Sequence, residues 1–177
     1  MNEDRQIIQR VLDGEIDAFR LLVEKYQKPL FAMIRNMLTG RADCEDIAQE
    51  AFLAAYLHLG SYESGKSRFS TWLFTIARNR CLNEAKRRRP TSLDTVEPTM
   101  ALEHPADGLI AGEAADALDR ALDALPFEQR SAFVLAEIQC LSLEEVARIE
   151  AVPLGTVKSR ISRAKEKLRL SLAPVSE

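Results

Sequence analysis

The sequence predicts an all-α protein with two small helical domains joined by a flexible linker. Apolar residues recur at helical spacing along most of the chain, and no segment alternates polar and apolar residues for long enough to form a strand. Between residues 91 and 112 there are prolines and four acidic residues but no Lys or Arg, which is typical of a linker. We therefore expect one domain in residues 1–90, a linker in 91–112 and a second domain in 113–177.

The composition excludes several classes of protein. With 177 residues, of which 46% are hydrophobic and 29% charged, the chain is globular rather than disordered. The N-terminus is acidic and lacks an apolar core, so we expect no signal peptide. No apolar run approaches the roughly 18 residues that span a bilayer. We therefore expect a cytoplasmic protein without direct membrane insertion.

Catalytic and metal-binding patterns are missing from the sequence. The three cysteines are far apart and odd in number, which argues against a disulfide framework or a zinc site and favours small buried side chains. There is no Gly-rich phosphate loop, no pair of catalytic carboxylates and no Ser-His-Asp or Cys-His arrangement. We expect no enzymatic activity, no bound metal and no cofactor.

The first domain divides into four predicted helices. A short first helix ends at Gly14, and a longer second helix runs from about residue 17 to Gly40, with Pro29 inside it. Acidic residues at 43, 45 and 46 begin the third helix, where they favour the positive end of the helix dipole. A polar loop over 60–70 leads to the fourth helix, which Pro90 ends.

The second domain ends in a predicted helix-turn-helix. Ser142 and Glu145 have the spacing of a capping box, so the first of its two helices has a clear start. Pro153 and Gly155 mark the turn. In the second helix, one face is apolar and predicts packing onto the domain: Val157, Ile161, Ala164 and Leu168. A pair of helices of this kind is what a helix-turn-helix DNA reader needs.

Basic charge is concentrated in two places, although the net charge is −3. The outer face of the last helix has six Lys/Arg against one Glu between residues 156 and 170. A second cluster, from Arg78 to Arg89, also has six Lys/Arg against one Glu, and aromatic residues precede it. Such clusters suit nucleic acid, because cations neutralise phosphates while aromatic rings stack on bases. The alternative is that the charges are solvated and that Phe69 and Trp72 anchor the core.

Three motifs, in order, resemble the bacterial sigma factors of RNA polymerase. Residues 43–53 (DCEDIAQEAFL) resemble their polymerase-binding helix, and residues 69–80 (FSTWLFTIARNR) are similar to their promoter-melting, −10-reading helix. Residues 125–130 (LPFEQR), 142–147 (SLEEVA) and 152–160 (VPLGTVKSR) resemble their −35-reading domain. The short chain with two domains indicates the extracytoplasmic-function (ECF) group. The resemblance implies core RNA polymerase and promoter DNA as partners, and an anti-sigma factor as a third.

The resemblance also implies site residues. The polymerase-binding surface would contain Ile34, Asn36, Asp46, Gln49 and Glu50. The non-template strand of the −10 element would meet the 61–70 loop and the helix after it, including Ser61, Lys66, Arg68, Trp72, Asn79, Arg80 and Asn83, and the basic cluster adds Arg78 and Arg87. The −35 major groove would be read by Lys158, Ser159, Ser162 and Arg163. Phosphates would be held by Arg130, Arg160, Lys165 and Lys167.

Two residues of the helix-turn-helix depart from the usual pattern. Ala151 stands where glycine is often found, and Glu150 stands where an apolar residue is common. An alanine with positive φ is strained, so we expect a turn that is either strained or closed differently. A different class of function also fits the last helices: a stand-alone helix-turn-helix regulator with residues 1–90 as a sensor or dimerisation domain. The Arg78–Arg89 cluster and the acidic 43–50 helix favour the sigma factor, because a sensor domain needs neither.

Overall fold

The predicted all-α class with two helical domains is confirmed. The computed structural model describes residues 3–39, 44–87 and 109–172, and within these ranges it contains helices and no strands. The first domain consists of α1 (Glu3–Leu12), α2 (Phe19–Leu38), α3 (Cys44–Leu57) and α4 (Phe69–Arg87). The second consists of α5 (Leu109–Asp123), α6 (Phe127–Phe133), a π-helical turn (Val134–Ile138), α7 (Leu143–Glu150) and α8 (Leu154–Leu172).

The first domain is a bundle in which α2, α3 and α4 pack against one another. Leu22, Leu30 and Phe69 are fully buried at its centre. The Asp4 carboxylate fastens α1 to α2, since it accepts hydrogen bonds from Lys25 Nζ at 2.6 Å and Tyr26 Oη at 2.7 Å. The hydrogen bonds to Asp4 and Glu3 raise the pKa of Lys25.

The second domain packs α8 against α5, α6 and α7. The apolar face predicted for the last helix is buried, with Val157 and Ala164 fully enclosed, and it meets Leu122 of α5 in the interior. α5 begins at Leu109, before the predicted start of the second domain at residue 113. The rest of the predicted linker, residues 91–108, lies outside the described residues.

The cysteine prediction holds at two of three positions. Cys44 and Cys81 are buried, and burial raises the pKa of the Cys81 thiol to about 12, which keeps it protonated and unreactive. Cys140 is exposed, so the expectation that it is a buried apolar residue was wrong. It lies in the chain between the π-helical turn and α7, where its φ is 52°.

The two domains pack against each other and share a core. Buried side chains of α2 and α4 form one apolar cluster with those of α6, the π-helical turn and α7. Polar contacts cross the same boundary: Arg35 Nη2 lies 3.4 Å from Asp119 Oδ2, and the Thr39 hydroxyl donates to Asp123 Oδ1 at 2.9 Å. The sequence predicted two bundles on a tether and gave no indication of this interface.

Candidate functional surfaces

The helix-turn-helix has the start that the sequence predicts. The Ser142 hydroxyl accepts from the Glu145 backbone N–H at 3.2 Å, and the Ser142 backbone N–H donates to Glu145 Oε2 at 3.1 Å. Burial acts to raise the pKa of Glu145, but the hydrogen bonds from Ser142, with Arg68 and Thr71 close by, outweigh it and lower the pKa. The capping box therefore depends on an ionised carboxylate.

The turn differs in detail from the sequence prediction. α7 ends at Ala151, whose φ of 53° and ψ of 43° place it in the left-handed region that glycine adopts without strain. The departure noted at this position is thus a real backbone strain. Pro153 precedes α8 as predicted, but Gly155 lies inside the first turn of α8 rather than in the connection.

The outer face of α8 carries a row of exposed polar and basic side chains. Its exposed members are Lys158, Ser159, Ser162, Arg163, Lys165 and Lys167. Lys165 Nζ lies 2.9 Å from Glu137 Oε1, whereas no ion pair is found for Lys158, Arg163 or Lys167 within the described residues. A helix-turn-helix that presents such a row has the geometry to enter a major groove.

Arg78 is not on the nucleic-acid surface predicted for it. It is 7% exposed, and its guanidinium donates two hydrogen bonds to Glu150, from Nε to Oε1 at 3.1 Å and from Nη2 to Oε2 at 2.8 Å. Arg160 Nη1 donates to the same Glu150 Oε2 at 2.8 Å. In this arrangement Arg78 is withheld from phosphate by a carboxylate 72 residues away in the sequence, and Arg160 is partly withheld.

Arg130 is also buried, contrary to the prediction that it holds phosphate. Its Nη1 donates to the Met37 carbonyl at 3.0 Å, and its Nη2 donates to the carbonyls of Asp123 and Leu125, both at 3.1 Å. The carbonyls lie at the end of α2 and in the α5–α6 turn. Arg130 therefore joins the two domains rather than facing solvent.

The loop before α4 and the start of that helix form an aromatic cluster. Trp72 is half-buried, with its ring centroid 5.4 Å from that of Tyr62 and 5.8 Å from that of Phe69, which is fully buried. Ser61 and Lys66 are exposed on the loop, where Lys66 pairs with Glu63 at 2.7 Å. Arg68 is exposed and reaches Glu145 of the second domain at 3.8 Å. The aromatic rings form a partly exposed platform with cations beside it.

Farther along α4, two amides are exposed and two arginines are held by acids. Asn79 and Asn83 face solvent on the same side of the helix. Arg80 pairs with Glu50 of α3, and Arg87 pairs with Glu84 at 2.9 Å. Of the remaining basic residues of this cluster, Lys86 is exposed, and residues 88 and 89 lie outside the described residues.

The surface of α3 combines acids with exposed apolar side chains. Asp46, Gln49, Glu50 and Leu53 line a shallow groove. Leu53 is 57% exposed and Leu57 is 67% exposed, an arrangement that sequence reasoning missed. The sequence did contain a signal for this: both leucines lie off the apolar face of the helix. A face of this composition suits a partner that is basic at its edge and apolar at its centre.

Of the residues predicted for the polymerase-binding surface, one is buried and another is only partly exposed. Ile34 is fully buried in the first-domain core, so its side chain is not accessible to a partner in this conformation. Asn36 is half-buried and donates to the Ala32 carbonyl at 2.7 Å. Asn36 is therefore accessible in part, and its contact with a partner stays a prediction.

Within the described part of the chain, no group of three or more His, Cys, Asp or Glu could hold a metal ion. None of the described helices is long and apolar enough to cross a membrane.

Comparisons with known proteins identify both helical domains. The family model of sigma-70 region 2 matches residues 22–91, and that of sigma-70 region 4 matches residues 115–168. The chain is 36% identical to the RNA polymerase sigma-H factor of Pseudomonas aeruginosa, covering 98% of this chain and 95% of that protein. It is 35% identical to the ECF RNA polymerase sigma-E factor of Escherichia coli strain K12, covering 97% of this chain and 95% of that protein.

Solved structures resemble the whole arrangement. The sigma factor RpoE of Bartonella quintana, determined in complex with the anti-sigma factor NepR, is 25% identical and has a TM-score of 0.73, over 89% of this chain and 98% of that chain. The structure of CnrH in complex with the cytosolic domain of CnrY is similar in fold, with 24% identity and a TM-score of 0.77, over 99% of this chain and 100% of that chain. From the two region models and the near full-length identity to curated relatives, this chain belongs to the ECF sigma factors of bacterial RNA polymerase.

Proposed function

We propose that the protein binds core RNA polymerase and directs it to promoters, where the two domains recognise the −10 and −35 elements and initiate transcription. The observation that carries this proposal is the presence, in order, of both sigma-70 regions in a chain that matches ECF sigma factors over nearly its whole length. The stand-alone regulator is not retained, because its sensor domain would not match region 2. As a polymerase subunit it would act in the cytoplasm and do no chemistry itself.

The polymerase-binding surface we propose is the outer face of α3. Asp46, Gln49 and Glu50 supply polar and acidic groups, and the exposed Leu53 beside them supplies apolar area. Acidic groups at the edge of a contact fix its register on a basic partner, while the apolar side chain contributes affinity. We assign residues 1–90 to this contact and to the −10 element.

The promoter-binding surfaces we propose are the start of α4 with its loop and the outer face of α8. The −10 strand would contact the loop, the Trp72 platform and the exposed amides of α4, through Ser61, Lys66, Arg68, Trp72, Asn79, Arg80, Asn83 and Arg87. The −35 groove would be read by the exposed row on α8, through Lys158, Ser159, Ser162 and Arg163, with Lys165 and Lys167 on phosphates. A base held against an aromatic platform is read while the strands separate.

We also propose that an anti-sigma factor controls the protein, in keeping with the RpoE–NepR structure that it resembles. An inhibitor that covers the α3 surface would block assembly with the polymerase. Purification of the native protein with its associated proteins tests for such a partner.

Run-off transcription with core RNA polymerase, with and without this protein, tests the main proposal. We expect a promoter-specific transcript only when the protein is present, and the absence of one would contradict the proposal. Asp46→Lys should weaken core binding, because it reverses charge on the α3 surface. Glu24→Lys, which reverses an exposed acid on α2, is the matched control and should not.

A further inference from the structure

A turn at residues 63–66 lies within the loop that precedes α4. The Lys66 backbone N–H donates to the Glu63 carbonyl at 3.0 Å, which closes the turn. Arg5 of α1 lies against it, and its Nη2 donates to the Ser64 carbonyl at 2.6 Å across 59 residues of sequence. A helix at the start of the described chain thus contacts the loop that is assigned above to the −10 strand.

The first helix, α1, is a firm support for this contact. Its apolar face is buried in the first-domain core, and the buried Asp4, next to Arg5, fastens it to α2. Because these contacts hold the backbone of α1, the Arg5 guanidinium extends from a fixed base although its own side chain is exposed. The position of the Ser64 carbonyl is therefore tied to the core of the domain and not to the loop alone.

The two ends of the loop are held by Tyr62. Its hydroxyl donates to the Ser67 carbonyl at 2.9 Å, and its ring packs edge-on against the fully buried Phe69, with the centroids 5.7 Å apart. Burial raises the pKa of Tyr62, so the hydroxyl stays protonated and remains a donor. These contacts hold both sides of the turn, but they do not set the orientation of the peptide between Ser64 and Gly65.

That central peptide has two accessible orientations in this sequence. In one orientation the third residue of the turn has a negative φ, and in the other the peptide is turned over and the third residue has a positive φ, which favours glycine. Gly65 is the third residue, and its φ lies outside the left-handed region. A Cβ on Gly65 would meet nothing within 4 Å, so packing does not require glycine in the observed orientation. The turn itself permits both orientations, and a contact from outside it is needed to select one.

We propose that Arg5 is a positioning residue that selects the orientation of the peptide between Ser64 and Gly65 and so sets how the loop meets the −10 strand. A guanidinium has donors and no acceptor, so it binds the Ser64 carbonyl and cannot bind the Gly65 N–H that the opposite orientation would turn toward it. A hydrogen bond from a charged donor is also stronger than a neutral one. The role at the −10 element rests on the proposed function, whereas the selection of the turn does not.

Arg5→Met tests the selection, because it keeps an extended side chain and removes the donor. Arg20→Met is the matched control, since it makes the same change at an exposed arginine of α2 whose partner, Glu24, is on the same helix. In proton–nitrogen correlation spectra of the free full-length protein, the Gly65 amide resonance of Arg5→Met should shift and broaden as the peptide exchanges between orientations. Arg20→Met should match wild type. A Gly65 resonance that is unchanged in Arg5→Met would overturn the proposal.

Gly65→Ala acts on the same turn without changing α1. Alanine disfavours a positive φ, so it should lock the observed orientation. Combined with Arg5→Met, it should return the resonance of residue 65 to a single sharp line, which a general loss of stability would not do. Gly65→Ala alone should recognise the −10 element as wild type does, and this variant decides the matter if Arg5→Met fails to fold. Loss of −10 recognition in Gly65→Ala would show that the promoter uses the opposite orientation and would sink the proposal.

Open-complex formation by the holoenzyme gives the functional readout. The promoter that yields the run-off transcript is compared with the same promoter carrying a substituted −10 base. The preference for the intact −10 element should fall about threefold to fivefold in Arg5→Met, as expected for one exposed hydrogen bond from a charged group. It should recover when Gly65→Ala is added, and the effect of a −35 substitution should stay as in wild type.

The two readouts separate the positioning role from the proposed function. An undiminished −10 preference in Arg5→Met, with wild type active, would overturn the role of Arg5 at the promoter. A shifted Gly65 resonance in Arg5→Met, with no specific transcript from wild type, would support the selection of the turn by Arg5 and reject the proposed function.

Discussion

Replacing Arg130 with Met should strongly destabilise the protein and have little direct effect on DNA contacts. Arg130 is 9% exposed, and its guanidinium donates to carbonyls of both domains: Met37, Asp123 and Leu125. Met fills a similar volume but offers no donor, so three buried carbonyl oxygens lose a charged partner.

The expected loss follows from these contacts. Hydrogen bonds to a charged group contribute about 1.5–3 kcal/mol each. The total loss of stability is smaller than the sum of the three, because water and a relaxed backbone replace some of the lost hydrogen bonds. We expect the free energy of unfolding to fall by about 4 kcal/mol. For a chain of this length that corresponds to a melting temperature lower by about 8–16 °C.

Thermal and urea unfolding followed by circular dichroism measure this effect. Arg163→Met is the matched control, since it makes the same change on the exposed face of α8, and it should stay within about 0.5 kcal/mol of wild type. Arg130→Lys should lie between Met and wild type, because an ammonium cannot reproduce the planar fork. A melting temperature for Arg130→Met within about 2 °C of wild type, with weaker duplex binding, would refute this account and restore Arg130 to the phosphate contacts.

Three further predictions concern the helix-turn-helix. Ala151→Gly should stabilise the protein by up to about 1 kcal/mol in urea unfolding, since glycine adopts a φ of 53° without strain; destabilisation would show that the turn is not held there. Glu145→Gln should cost about 1 kcal/mol through the capping box at neutral pH. Because the folded pKa of Glu145 is lowered, its contribution is present above the unfolded pKa of 4.5 and is lost as pH falls through the folded value, so unfolding curves of wild type and variant should converge in acid. Arg163→Ala should weaken holoenzyme use of a −35 element by about 1–3 kcal/mol, measured by open-complex formation, with core binding unchanged; an equal loss of core binding would show that the domain assignment is wrong.

Local features of the fold could be predicted from the sequence. The buried face of α8, the capping box at Ser142 and the start of α8 after Pro153 all depend on residues within a few positions of one another. Helical periodicity and capping are local, so sequence spacing is enough to predict them. The exposed row on α8, from Lys158 to Lys167, follows from the same periodicity. Its use in DNA binding stays a prediction.

Burial of charge could not be predicted in the same way. Arg78 and Arg163 belong to basic clusters and look alike in sequence, yet Arg78 is enclosed and Arg163 is exposed. Arg130, which has no basic neighbour in the sequence, is enclosed as well. Ile34 was placed on a surface only because the family resemblance implied it. Whether each of these side chains is buried depends on a helix that is distant in the sequence and packs against it in the fold.

The sequence by itself determined an all-helical protein and the polar face of its last helix, because periodicity, capping and composition act over short distances along the chain. The order of the two sigma-type domains came from the resemblance of its motifs to a known family. Tertiary structure alone decided that the domains close on each other and that Glu150 holds Arg78 across 72 residues of sequence. The physical reason is that a charge enters the interior only where an opposite charge meets it with good geometry. Such a contact between opposite charges depends on how the helices pack, and the spacing of residues along the sequence does not reveal it.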